Sequence, residues 1–170
     1  MKYLEGQVRI PSGCAISAVI SKEGKRMTGE NVIKSMIPMH DRSNGLGGGF
    51  AGYGIYPEYS EFYAMHMFFD DMSRRTDCEN FLKEGFEIVK SEPIPTRKHP
   101  NITDVPVIMR YFVSPLKSVL SAKQLDEKEF VARAVIKINS LIDGCYCFSS
   151  GKNMGAFKAV GFPEDVGVFY

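Results

Sequence analysis

Apolar positions along this 170-residue chain recur with two different spacings, and the alternation between them predicts an α+β fold. Val32, Ile33, Met36 and Ile37 lie on one helical face, with Pro38 near the end of that stretch. A strand pair is expected over residues 50–56 and 62–69, joined by Pro57-Glu58-Tyr59-Ser60. Asp77 suits the N-cap of a helix carrying Phe81, Leu82, Phe86 and Val89, which a proline-rich loop over 93–100 would end. Residues 105–113, β-branched and aromatic, read as a strand. The strongest helical pattern covers 126–143, where Glu129 follows an Asp126 cap by three residues and Phe130, Val131, Ala134, Val135, Ile138, Leu141 and Ile142 form an apolar stripe. Gly144 is a good stop. Two strands, 145–149 and 154–160, flank the turn Ser150-Gly151-Lys152-Asn153, and Pro163-Glu164-Asp165 opens a last short helix. Near the start, Cys14-Ala15-Ile16-Ser17-Ala18-Val19-Ile20 reads as a small apolar strand, followed by a turn over 22–25.

Length suits one domain able to bury a sizeable core without disulfide staples. The 21 basic and 20 acidic residues are balanced and scattered, so no electrostatic footprint for nucleic acid or for a membrane surface is present. Four cysteines and an N-terminus without the apolar core of a signal peptide argue for a reducing cytoplasm. No apolar run reaches bilayer-spanning length, and no repeat, low-complexity tract or linker stands out.

Among residues able to carry chemistry, Cys14 sits where a short polar leader gives way to apolar sequence. If the bond after Gly13 were cut, Cys14 would own a thiol and a free α-amine, and an amine of pKa about 8 can accept the thiol proton with no histidine nearby. Residues 1–13 would then be a propeptide. The alternative is a small buried hydrophobe at a strand start. Six glycines in the ten positions 45–54 suit positive φ angles and close backbone approach, but the run lacks a P-loop ending. Cys145 and Cys147 share one face of a strand pattern, which favours core over metal ligation. His40, His66 and His99 make no metal-ligand spacing, and His66, within an aromatic strand, reads as a satisfied structural histidine. Arg110 suits either a carboxylate partnership or a solvent-facing edge.

The ordered combination is more specific than its parts. Ser12-Gly13-Cys14-Ala15-Ile16, then Asp41-Arg42-Ser43-Asn44-Gly45-Leu46-Gly47-Gly48-Gly49-Phe50-Ala51-Gly52-Tyr53-Gly54, then Ser149-Ser150 and a hairpin over 154–161, resembles the glutaminase domain of class II glutamine amidotransferases. The nearest likeness is to the amidotransferase subunit associated with glutamate synthase, and it covers nearly all of 14–170. The resemblance implies an N-terminal-nucleophile hydrolase fold, a layered α-β-β-α sandwich of antiparallel sheets, incomplete at its C-terminal end. It implies Cys14 as catalytic nucleophile and Arg42, Gly47 and Gly48 as substrate-binding residues in the wall of a glutamine pocket. Two departures stand out. Ala15 replaces the glycine that commonly follows the nucleophile, and the family's His-x-Arg strand and Asn-Gly oxyanion pair have no convincing counterpart in residues 1–170; Ser43-Asn44-Gly45 lies in the wrong part of the motif order.

Little glutaminase activity is therefore expected of the isolated chain, since even one missing oxyanion donor costs about a hundred- to a thousandfold in rate. Glutamine is the implied substrate, a glutamate synthase subunit or complementary chain the implied partner, and no cofactor or metal site is visible. Unpaired strand edges would favour association, including homo-oligomers. Two other readings stay open: a catalytically inactive binding or regulatory module with the same fold, and a thiol or metal protein built on Cys14, Cys78, Cys145 and Cys147.

Overall fold

The computed structural model describes residues 14–170, so the leader expected over 1–13 lies outside the described residues. The chain is α+β, with antiparallel sheets. Its described residues divide into two compact units: 14–50 with Lys98–Ile102 and Lys158–Tyr170, and Ala51–Arg97 with Thr103–Phe157.

The second unit is built on strands β2 (Tyr63–Phe69), β3 (Phe86–Pro93), β4 (Val107–Pro115) and β5 (Cys145–Lys152), in the order β3-β4-β2-β5 with every pairing antiparallel. Alternation sorts the side chains onto two faces. Met65, Met67, Phe69, Met109, Tyr111, Val113, Cys145 and Cys147 face the helices and form one core with Cys78 and Leu82 of α2 (Met72–Lys83) and Phe130, Val131, Ala134 and Ile138 of α4 (Glu127–Leu141). Each large side chain so buried contributes about 1.5–3 kcal/mol. The opposite face carries Ala64, His66, Phe68, Arg110 and Phe112. Central strand β2 is covered on both faces, which is why it reads as an apolar run interrupted only by His66. β5 carries an extra residue, Phe148, where the register shifts opposite His66 and Met67; its ring packs on Phe68 with centroids 4.1 Å apart.

The α4 expectation is met at its start and along the stripe to Ile138: the Asp126 carboxylate accepts from the Glu129 amide at 2.9 Å, and Gly144 turns the chain at φ +70°. The helix ends, however, at Leu141, which is exposed rather than part of the buried stripe. The helix expected from Asp77 begins earlier. Asp71 caps α2, accepting from the amides of Ser73 and Arg74 at 2.7 and 3.1 Å, which leaves Asp77 inside it. α2 stops at Lys83, and Phe86 and Val89 belong to β3, where strand pairing with β4 outweighs the helical spacing.

The first unit contains α1 (Glu30–Met36), a 3-10 turn at Ile37–Arg42 and α5 (Pro163–Phe169), with Met36, Val166 and Phe169 buried. The Cys14–Ile20 strand does not form: these residues are exposed coil with no ladder partner to satisfy a strand backbone. A two-stranded sheet of β1 (Gly48–Tyr53) and β6 (Met154–Ala159) carries the chain from one unit into the other. Two expected pairings are thereby corrected. β1 pairs with β6 rather than with β2, and β5 and β6, though joined through Asn153 at φ +51°, belong to different sheets.

Candidate active site

In the first unit a cleft of about 290 Å3 brings together Cys14 and Ala15 with Arg42, Ser43, Asn44, Gly47, Gly48 and Gly49, and Met36, Met39 and Pro163 complete its lining. Every site residue expected from the sequence, Cys14, Arg42, Gly47 and Gly48, lines this one cleft. Met36 is the buried end of α1, and Pro38 opens the 3-10 turn that delivers Arg42. His40 holds that turn against the start of α5: its ring stacks on Phe162 with centroids 4.4 Å apart, and Nδ1 meets the Glu164 carboxylate. Beyond the turn, side chains fold back on the backbone. Ser43 Oγ accepts from the Gly45 amide at 3.2 Å and Asn44 Oδ1 from the Leu46 amide at 3.1 Å, the local bonds that favour a tight loop over a helix or strand.

Two glycines in this loop are required by geometry. Gly45 has φ +75°, and a Cβ there would lie 3.3 Å from the Phe162 ring. A Cβ on Gly48 would lie 3.3 Å from the Pro163 Cα, which is backbone and cannot swing aside. Gly45 and Gly48 thus serve close approach of this segment to Phe162 and Pro163 at the start of α5.

The four cysteines separate cleanly. Cys14 is exposed, so it is not a buried strand hydrophobe. Cys78, Cys145 and Cys147 are buried; burial raises all three thiol pKa values, that of Cys147 to about 12. Thiols held protonated in this way are poor nucleophiles. Among the described residues, no three His, Cys, Asp or Glu side chains are placed to hold a metal ion. His99 lies 3.7 Å from Asp165, whose other oxygen accepts from Asn101 at 3.1 Å.

The second unit holds a different polar cluster, on the sheet face away from the helices. His66 is fully buried and both ring nitrogens are engaged: Nδ1 with the Ala156 carbonyl at 2.7 Å and Nε2 with the Tyr56 hydroxyl at 2.8 Å. A carbonyl only accepts, so the proton sits on Nδ1, Nε2 accepts from Tyr56, and the Tyr56 oxygen accepts from Arg110 Nη1 at 3.1 Å. Arg110 also donates to Glu92, its cross-strand neighbour, which Lys90 approaches at 2.8 Å. Burial lowers the His66 pKa to about 4; the Arg110 charge adds to this and the Ala156 bond opposes it. Bonds from Lys90 and then Arg110 hold the Glu92 carboxyl below its ordinary range. Burial works against the Arg110 charge, but Glu92 and Tyr56 more than offset it. With no exposed surface and both nitrogens occupied, His66 is a structural histidine, as its place in an aromatic strand implied. The Arg110–Glu92 pairing was not legible in advance, because the segment holding Glu92 reads as the end of a helix unless β3 is recognised.

No helix among the described residues is long and apolar enough to cross a membrane. No family model matches the chain. An uncharacterized protein of Archaeoglobus fulgidus is 45% identical to it over 159 residues, which is 92% of this chain and 42% of the relative's length. The chain therefore spans about two fifths of the curated relative it matches.

Proposed function

We propose that this chain is the N-terminal portion of a class II glutamine amidotransferase domain with an N-terminal-nucleophile hydrolase fold, in which Cys14 attacks the side-chain amide of glutamine. The observation that carries the reading is the cleft uniting Cys14 with Arg42, Gly47 and Gly48, residues far apart in sequence that the motif resemblance had singled out independently. The exposure of Cys14, against three buried cysteines with raised thiol pKa values, supports the choice of nucleophile.

Chemistry follows from the two groups a freed Cys14 would own. Its α-amine takes the thiol proton, and the thiolate adds to the glutamine δ-carbonyl carbon. The resulting oxyanion collapses as the α-ammonium protonates the departing ammonia, leaving a thioester. The amine then draws a proton from water, which attacks the thioester and releases glutamate. Arg42, on the cleft wall, presents a planar fork of donors suited to a carboxylate of the substrate. Oxyanion donors equivalent to the family's Asn-Gly pair are not matched in residues 1–170, so turnover by this chain alone is slow, and a glutamate-synthase-type partner or complementary chain is the proposed recipient of the ammonia.

The test is covalent. A diazoketone analogue of glutamine adds once, at Cys14, and excess glutamine slows the addition; Cys14→Ser abolishes it. Absence of an adduct, or addition to Cys14 at a rate glutamine does not change, contradicts the reading.

A further inference from the structure

The unit formed by Ala51–Arg97 and Thr103–Phe157 holds a cavity of about 490 Å3 between α2, α3 (Lys117–Lys123) and α4. Its floor is apolar, formed chiefly by Phe81, Phe86, Val119, Leu125, Phe130 and Ala134. The Phe86 and Phe130 rings pack with centroids 5.0 Å apart, and Gly85 leaves room for this: a Cβ there would stand 2.7 Å from the Phe130 ring. The mouth is cationic. Lys123, Arg133 and Lys137 all line it and are exposed, against Glu84 as the one carboxylate in the lining. Arg133 commits Nε to Glu129 at 2.6 Å, while Lys137 has no acidic partner among the described residues. Lys123 already holds its ammonium 5.4 Å from the centre of the Phe130 ring, over the aromatic floor.

We propose that this cavity binds a small amphipathic carboxylate, its apolar body on Phe86, Leu125 and Phe130 and its head among Lys123, Arg133 and Lys137. Ligand sites are commonly hollows of a few hundred Å3 with apolar walls and a few convergent polar groups, and this one has that make-up. The apolar floor supplies affinity at about 25 cal/mol per Å2 removed from water. Lys123 and Lys137, which have no carboxylate partner among the described residues, select the sign of the head group, because an anion entering meets their positive charge at the mouth. Arg133 adds a planar fork that matches a carboxylate. The proposal is independent of the chemistry at Cys14, and either can fail without the other.

The experiment is an amide NMR titration of the full chain with octanoate and, in parallel, with its neutral counterpart octanamide. Octanoate produces saturable shifts at Gly85, Phe130 and Ala134 with a dissociation constant of about 1 mM or tighter, and octanamide binds at least about tenfold more weakly. A Lys123→Glu/Lys137→Glu variant, altered only at exposed positions, loses at least about tenfold in octanoate affinity while its spectrum stays dispersed. No saturable shifts at those three residues, equal binding of octanamide, or unchanged affinity in the double variant overturns the proposal.

Discussion

The Tyr56 hydroxyl donates to Nε2 of His66 at 2.8 Å, inside a face of the sheet from which His66 has no exposed surface. That bond exists only while Nε2 carries no proton. Protonating His66 would set two donors against each other at Nε2 and bury a second positive charge near Arg110.

A pH dependence of stability follows, and its sign is fixed. The folded pKa, about 4, is below the ordinary value of 6.5, so the unfolded chain binds more protons between these limits. Stability is complete above pH 6.5 and is lost as pH falls toward 4. Between pH 7 and pH 5 the loss is about 2 kcal/mol. Urea unfolding at the two pH values measures it. His66→Gln, which removes the titration, flattens the dependence over this window whatever it does to stability at pH 7.

Asn139, near the end of α4, uses its side-chain amide as a substitute strand. Its Nδ2 donates to the Cys147 carbonyl at 3.0 Å and its Oδ1 accepts from the Cys147 amide at 2.7 Å, covering backbone groups on edge strand β5. Asn139→Ala leaves both groups without that partner and destabilises by about 1–2 kcal/mol. Asn139→Asp is no rescue, since it keeps the acceptor but sets an oxygen against the Cys147 carbonyl. Chemical denaturation ranks the variants, and light scattering shows increased self-association of Asn139→Ala.

In the loop beside the cleft, Gly45→Ala forces an L-residue to φ +75° with its Cβ against Phe162, at about 1–2 kcal/mol. Gly48→Ala drives its Cβ against the Pro163 backbone and shifts the cleft wall. Both variants react more slowly than the parent with the diazoketone analogue of glutamine. Their reaction with iodoacetamide, which needs no glutamine pocket, is unchanged. Equal slowing with both reagents would mean that the loop acts on Cys14 itself rather than on substrate recognition.

How much of this was legible in the chain depends on where the information lay. α4 announced itself because cap, stripe and stop are local and agree: Asp126, the Phe130-to-Ile138 face and Gly144 all appear where the structure uses them. β2 was equally plain. The α2–β3 region was misread because Phe86 and Val89 continue the spacing of Phe81 and Leu82, and only pairing with β4 reveals a strand. Sheet membership was hidden for the same reason, since the pairing of β1 with β6 joins segments about a hundred residues apart. Cys14, Arg42, Gly47 and Gly48 are singled out by motif order alone, and the structure places them along one cleft and adds what order could not, the His40–Phe162 stack that seats the loop. The Tyr56–His66–Arg110 network stayed out of reach, because Tyr56 meets His66 only through tertiary packing.

The proposed function rests on Cys14 acting as an N-terminal nucleophile beside the cleft lined by Arg42, Gly47 and Gly48. Intact mass of the purified protein, before and after exposure to the diazoketone analogue, is the decisive experiment. The account predicts a mass lacking residues 1–13 and a single adduct at Cys14 that excess glutamine prevents. A retained leader with no adduct would contradict it.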